Sequence, residues 1–171
     1  SCCLLVDKEE IGSVGATGMQ SRFFENTVAE LLNLFDDYSE IKLKRCLANS
    51  RMLSSDVNAA FDALYAEAFQ KNSSSFMGKG VVFNKFTGRG GKSGSNDANA
   101  EYLAALRKIM DDNNVNYQMA ELGKVDIGGG GTIAYIMALY GMEVIDSGVA
   151  VLSMHAPWEV TNKADVYEAY K

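Results

Sequence analysis

Short apolar segments alternate with helical patterns along this chain, and this alternation is the strongest constraint on its fold. The apolar segments fit β-strands because they are short and mostly bounded by glycine or polar residues. They lie at residues 3–6, 46–52, 80–86, 117–122 and 144–153. Helical patterns lie at residues 24–35, 58–69, 103–110, 132–140 and 158–170. Such alternation predicts an α/β layered fold whose sheet is largely parallel or mixed.

Composition excludes several classes of partner. The chain has 171 residues, which suits one domain with a hydrophobic core. Its net charge of −6 argues against a nucleic-acid partner, because phosphate binding needs a basic surface. No segment approaches the ~18 apolar residues of a membrane span, so we expect no membrane partner. The three cysteines lack metal-ligand spacing, which favours reduced thiols and a cytoplasmic location.

Carboxylates and the single histidine occur where predicted strands end. Asp7, Glu9 and Glu10 follow the first apolar segment, Asp56 follows the second, and His155 follows the last. These donor types at strand ends suit a composite metal site in an α/β sheet. Each feature also has an ordinary structural interpretation: a solvated turn for the acidic cluster, a helix N-cap for Asp56 and a structural role for His155. The residues alone leave both interpretations open.

Two glycine-rich segments raise the alternative of nucleotide or phosphate binding. The segment TGRGGKS at residues 87–93 resembles a Walker A loop, but the spacing GxxxxGK[ST] requires glycine where Phe86 stands. Neither segment fits GxGxxG. The four glycines at 128–131 fit a strand-to-helix turn whose backbone amides approach either a ligand or a packed strand. An ATP titration would test the nucleotide alternative.

Five segments together resemble the aspartyl aminopeptidase/aminopeptidase I family of zinc metallopeptidases. They are VDKEEIGS (6–13), SSDVNAAF (54–61), GKSGSNDANAEY (91–102), GGGGTIA (128–134) and SGVAVLSMHAPWE (147–159). The resemblance runs over essentially the whole chain, and the motifs arrive in the family's order. It implies an α/β fold of three layers, in which helices pack on both faces of a mixed, largely parallel sheet.

The resemblance also implies roles for particular residues. Glu9 would be the general base that takes the proton of a water activated by two zinc ions. Glu10 and His155 would bind one zinc, and Asp56 would bind the other. The positions implied to bind substrate are Lys85, Gly131 and Thr132, with the alignment at Lys85 loose by one residue.

Family members hold two zinc ions per active site, with a bridging aspartate and a further histidine from an HxD motif. We find neither of these ligands here, and His155 is the only histidine. The resemblance therefore implies that residues 1–171 are the C-terminal part of the catalytic domain. The N-terminal catalytic part and an inserted dimerisation domain would lie outside this chain.

The same resemblance implies peptide substrates and a homo-oligomer in which dimers build a dodecamer. Two alternatives within the same fold stay open. One is a non-catalytic relative or assembly module. The other is a related two-metal aminopeptidase or deacylase. The preference for an acidic, neutral or hydrophobic N-terminal residue is left open too.

The implied ligand set makes a prediction about the 171 residues on their own. Glu10, Asp56 and His155 offer three contacts, whereas each zinc normally takes about four ligands including water. The isolated segment should therefore bind zinc weakly and hydrolyse no peptide, as measured by a zinc competition assay and a peptidase assay. Stoichiometric tight zinc together with turnover would contradict the partial-domain interpretation.

Overall fold

The computed structural model describes residues 1–35, 37–90, 92–124, 126–127 and 129–171. Within these ranges the helices are α1 (Phe23–Phe35), α2 (Glu40–Ala48), α3 (Ala100–Asp112), α4 (Ala134–Ala138) and α5 (Lys163–Tyr170). The strands are β1 (Arg51–Ser55), β2 (Asn58–Ala59), β3 (Val81–Arg89), β4 (Ser93–Asp97), β5 (Tyr117–Glu121), β6 (Glu143–Gly148), β7 (Ala150–Leu152) and β8 (Val160–Thr161). Short 3₁₀ helices occupy Glu9–Ile11, Ala63–Ala68 and Lys71–Ser73.

The main sheet is mixed, as predicted. Strand β6 pairs in parallel with β1 and antiparallel with β3. Strand β3 is long enough to pair with three neighbours: β5 in parallel along one edge, and β6 followed by antiparallel β4 along the other. A smaller sheet places β7 between parallel β2 and antiparallel β8. Within the described residues, each of the two sheets therefore contains both parallel and antiparallel strand pairs.

One parallel ladder runs through both sheets. Strands β1 and β2 are consecutive along the chain, and their partners β6 and β7 are consecutive too. Backbone hydrogen bonds bridge the gap between the two pairs: Asp56 N–H donates to Ser147 O at 3.1 Å and Asn58 N–H donates to Val149 O at 2.9 Å. The chain therefore carries Asp56 on a backbone that is hydrogen-bonded on both sides of it.

Helices cover both faces of the main sheet, which confirms the layered architecture. Val144 of β6 packs with Leu47 of α2 and Met137 of α4. The next residue, Ile145, packs with Leu106 of α3 in a separate cluster. Successive side chains of a strand point to opposite faces, so these two clusters lie on opposite sides of the sheet.

Five predicted elements differ from the structure. The segment 144–153 is divided between β6 and β7, and the segment 158–170 contains β8 before α5 begins at Lys163. Residues 3–6 form no strand, and Leu5 is 92% exposed. Residues 58–69 form β2 and a 3₁₀ helix rather than an α-helix, because Asn58 continues the ladder with β7. The strand predicted at 46–52 begins only at Arg51, since the preceding residues complete α2, whose start is capped by Ser39.

None of the helices in the described ranges combines the length and the apolar character that crossing a membrane requires.

The packing predicts which core side chain is costly to truncate. Ile145 is 0% exposed at the centre of the main sheet. Ile145→Ala should lower the free energy of unfolding of the chain by about 2–5 kcal/mol, because it removes buried methyl groups and leaves a cavity. Urea unfolding followed by circular dichroism measures the change.

The matched control is Leu34→Ala in α1, where the leucine is 78% exposed. This change should cost less than about 0.5 kcal/mol, since it removes little buried area. Equal costs at the two positions would contradict the assignment of Ile145 to the core.

Candidate active site

The acidic turn at the start of the chain is held by its own backbone. Lys8 has a left-handed conformation with φ of 67°, and the 3₁₀ helix Glu9–Ile11 begins directly after it. Ser13 N–H closes the turn by donating to Lys8 O at 2.7 Å. The Lys8 ammonium lies 2.8 Å from Asp7, and its hydrogen bond lowers the pKa of that carboxyl. Lys8 therefore pairs with Asp7, not with Glu9 or Glu10.

Asp56 occupies the two-residue link between β1 and β2. It is not a helix N-cap, because β2 follows it and its Oδ1 accepts a hydrogen bond from Val57 N–H at 2.7 Å. The link lies directly against Gly148: a Cβ at that position would stand 1.7 Å from Asp56 O. Only glycine at 148 lets the two strands approach this closely, so Gly148 helps to set where Asp56 lies.

His155 follows β7 on a loop with unusual backbone geometry. Its φ is 65°, a left-handed value that is uncommon for a residue with a side chain. The carboxylate of Glu159 stabilises the loop by accepting a hydrogen bond from His155 N–H at 2.5 Å. This conformation places His155 Nδ1 3.8 Å from Glu10 Oε1, with side chains that are 67% and 73% exposed. Two of the predicted zinc ligands therefore face each other, although their loops are far apart in the sequence.

Glu9 and Asp56 lie close enough to Glu10 and His155 for their charges to interact. Burial is the main cause that raises the pKa of Glu9, and the charges of Asp56 and Glu10 raise it further, while His155 lowers it. Burial also raises the pKa of Asp56, with a contribution from Glu10, against the lowering effects of Val57 N–H and His155. Residues from three separate loops thus interact through their charges.

A further carboxylate, Asp146, lies behind this cluster and was not predicted as a site residue. It is 1% exposed on β6, directly opposite Ser54 of β1. Thr132 Oγ1 donates a hydrogen bond of 2.7 Å to its Oδ1. Burial raises the pKa of Asp146, whereas the hydroxyls of Thr132, Ser54 and Thr87 lower it and the charge of Asp56 raises it. The available signal was a carboxylate inside the apolar segment 144–153, a position that demands partners.

The predicted substrate-binding residues fall into two groups. Thr132 is buried and hydrogen-bonded to Asp146. Gly131 packs against the hairpin of β3 and β4, since a Cβ on Gly131 would stand 3.4 Å from Gly94 O. Lys85 lies on β3, where its ammonium pairs with Asp97 of β4. Of the four glycines predicted to form the turn, Gly128 lies outside the described residues.

The donor set fits zinc in chemical type, although its geometry does not close a site. Imidazole nitrogen and carboxylate oxygen are ordinary zinc ligands, and burial raises the pKa values of Glu9 and Asp56, a shift that a nearby cation would oppose. Among the residues that the structure describes, no three His, Cys, Asp or Glu side chains are grouped so that they could hold a metal ion. Glu10, Asp56 and His155 therefore stay predicted ligands.

Comparison with known proteins identifies the family. The profile of the aminopeptidase I zinc metalloprotease (M18) family matches residues 1–171. This chain belongs to the M18 family. It is 66% identical over 165 residues to the Clostridium acetobutylicum protein named Probable M18 family aminopeptidase 1, covering 96% of this chain and 36% of that relative.

Solved structures of M18 proteins share the fold. The crystal structure of the Thermotoga maritima M18 aminopeptidase superposes with a TM-score of 0.90 at 44% identity, over 96% of this chain and 37% of that one. The S. cerevisiae mApe1 dodecamer gives a TM-score of 0.73 at 26% identity, over 95% of this chain and 34% of that one. The chain therefore spans little more than a third of the M18 proteins that it matches.

The buried charge at Asp146 makes a prediction about stability and pH. The pKa of Asp146 in the folded chain lies above its ordinary value of 3.8, so the folded state binds this proton more tightly than the unfolded state. As the pH rises, ionisation of Asp146 therefore costs more in the folded state than in the unfolded state and lowers the free energy of unfolding. Asp146→Asn should raise the free energy of unfolding at pH 7, and this advantage should shrink as the pH falls towards 3.8.

Urea unfolding of both chains across this pH range gives the comparison. Asp111→Asn on the exposed side of α3 reports the effect of removing one solvated negative charge. An advantage of Asp146→Asn that grows as the pH falls would contradict the assignment.

Proposed function

We propose that the protein containing this chain is a zinc-dependent aminopeptidase that removes N-terminal residues from peptides. The chain supplies the C-terminal part of its catalytic domain. The observation that carries the proposal is the convergence of Glu9, Glu10, Asp56 and His155 from three loops far apart in sequence. Membership of a zinc metalloprotease family supports the choice of metal and of reaction.

The ligand roles are those that the family resemblance implies, and the convergence supports them. Glu10 and His155 would hold one zinc ion together, since their side chains already face each other at 3.8 Å. Asp56 would hold the second zinc ion, and the remaining ligands would come from outside residues 1–171. When bound, a pair of zinc ions lowers the pKa of water and polarises the carbonyl of the scissile peptide.

Glu9 is the proposed general base. It accepts a proton from the attacking water and delivers it to the amine that leaves, which is the usual task of a carboxylate beside a reacting bond. Its place in the chain suits a role different from that of Glu10, because both residues lie in a 3₁₀ helix, where successive side chains are about 120° apart around the axis. Glu10 can then bind metal while Glu9 handles the proton.

The substrate would lie along residues 129–132. Gly131 would offer its backbone to the peptide, and Thr132 would fix that backbone from below through its buried hydroxyl. Lys85 is proposed to contact the side chain of an acidic N-terminal residue. Its exposed ion pair with Asp97 is no obstacle, because exposed pairs contribute at most about 1 kcal/mol.

The proposal includes a cytoplasmic homo-oligomer in which dimers build a dodecamer. The mApe1 structure that shares this fold is a dodecamer, which supports a similar assembly here. A non-catalytic assembly module is the second candidate. It would keep the same fold without the chemistry.

Substitution of Glu9 tests the reaction. In the full-length protein, Glu9→Gln should lower kcat for peptide hydrolysis by at least about 10²–10⁴-fold, because it removes the group that moves the proton. Zinc content measured by atomic absorption should stay at the wild-type level, since Glu9 is not a proposed ligand. Glu30→Gln, on the exposed side of α1, is the matched control and should keep full activity.

The outcomes separate the candidates. Substantial turnover by Glu9→Gln would remove Glu9 from the role of base. A wild-type protein that holds no zinc and hydrolyses no peptide would instead support the non-catalytic module.

A further inference from the structure

Asp146 is fully buried, yet the proposed mechanism gives it no task. It accepts a 2.7 Å hydrogen bond from Thr132 Oγ1 through Oδ1. Its Oδ2 is buried without a well-oriented hydrogen-bond partner, and so are the hydroxyls of Ser54 and Thr87. These hydroxyls nevertheless lie close enough to lower the pKa of Asp146. Burying a carboxylate with so few hydrogen bonds lowers the free energy of unfolding. We therefore look for a function of Asp146 that offsets this loss of stability.

The partner of Asp146 belongs to the glycine loop at 129–132. Thr132 Oγ1 also accepts a hydrogen bond of 3.1 Å from Ala134 N–H, so one hydroxyl joins the loop, the start of α4 and β6. Gly130 O accepts a second bond from Gly88 N–H at 3.0 Å. A Cβ at Gly129 would stand 2.4 Å from Gly88 O, which shows how tightly the loop lies on the end of β3.

These contacts give the loop two attachments of different kinds. The Gly88–Gly130 bond is between backbones and fixes the middle of the loop. The Thr132–Asp146 bond is charge-assisted, and such bonds are stronger and more directional than neutral ones. Because Asp146 lies on the central strand β6, between β1 and β3, its position is set by the sheet rather than by the loop.

We propose that Asp146 is a positioning residue. It holds Thr132, and with it residues 129–132, in the position at which the loop binds a peptide substrate. The proposal rests on the assignment of this loop to substrate binding. Asp146 touches neither substrate nor metal in this arrangement. Its effect on the reaction passes through Thr132.

Hydrogen–deuterium exchange in the full-length protein tests the attachment directly. Thr132→Val keeps the shape of the side chain and removes its hydroxyl. Exchange in peptides covering 86–90 and 129–138 should rise at least about tenfold, because the hydroxyl makes two hydrogen bonds and the loss of the one to the charged group alone accounts for a change of that order. Thr132→Ser should restore the protection. Asp146→Asn should cause an intermediate rise in exchange, because its amide oxygen can still accept the bond but without charge assistance.

The control is Thr27→Val in α1, which removes a hydroxyl that donates to Phe23 O at 2.8 Å. It should leave exchange at 86–90 and 129–138 unchanged. Unchanged loop exchange in Thr132→Val would overturn the proposal. A uniform rise over the whole chain would overturn it too, because the bond would then contribute only to global stability.

Peptidase kinetics give a second readout that a purely structural role would not produce. In Thr132→Val, KM should rise about tenfold while kcat per folded protein changes less than about threefold, since binding rather than chemistry is affected. A fall in kcat at constant KM would contradict the positioning role. The exchange measurement needs no activity, so failure of the proposed function and failure of this attachment can be told apart.

Discussion

The site depends on the parallel pairing of β1 with β6, which β2 and β7 continue. This ladder sets three of the positions that matter: Asp56 between the first two strands, Asp146 within β6, and His155 just after β7. The two strand pairs are hydrogen-bonded on either side of Asp56, and Gly148 allows the backbones to touch there. A shift of one residue in this register would turn Asp146 to the opposite face and break its contact with Thr132.

Charge is the second constraint. Glu9, Glu10, Asp56 and Asp146 influence one another, and Lys8 is already paired with Asp7. Burial and mutual repulsion raise the pKa values of Glu9, Asp56 and Asp146, against a modest opposing contribution from His155 at the first two. A bound cation would relieve this repulsion, and the family to which the chain belongs is one of zinc metalloproteases.

Most strands of the main sheet could be predicted from the sequence, whereas the structures of residues 3–6 and 58–69 could not. Segments 80–86 and 117–122 are strands as predicted. The first is largely buried and the second is half-buried, so their apolar character reflects their position in the sheet. Residues 3–6 are equally apolar but form no ladder, since a strand needs a neighbour as well as side chains. The pattern at 58–69 predicted a helix, and the ladder with β7 overrode that local preference.

The candidate site shows the same division. Glu9, Glu10, Asp56 and His155 could be named from motifs, because their spacing in the sequence carries a family resemblance. The structure brings Glu10 and His155 to within 3.8 Å of each other, which spacing in the sequence could not show, and the ligand roles of the four residues stay predictions. Asp146 belongs to no motif that we recognised, and its importance comes from a hydroxyl on a loop 14 residues away. Lys85 keeps its proposed role, although its contact with Asp97 could not be foreseen from spacing.

The long reach of the β1–β6 pairing also sets the order of events during folding. Arg51 and Glu143, which are 92 residues apart, meet at the start of this ladder through both strand register and an ion pair. Pairing between residues so distant in sequence forms late, because the intervening chain must first be ordered. Asp56 and His155 can come together only after that step. In a newly made chain these side chains are therefore expected to stay apart until the sheet is complete, and the proposed metal could be bound only after that step.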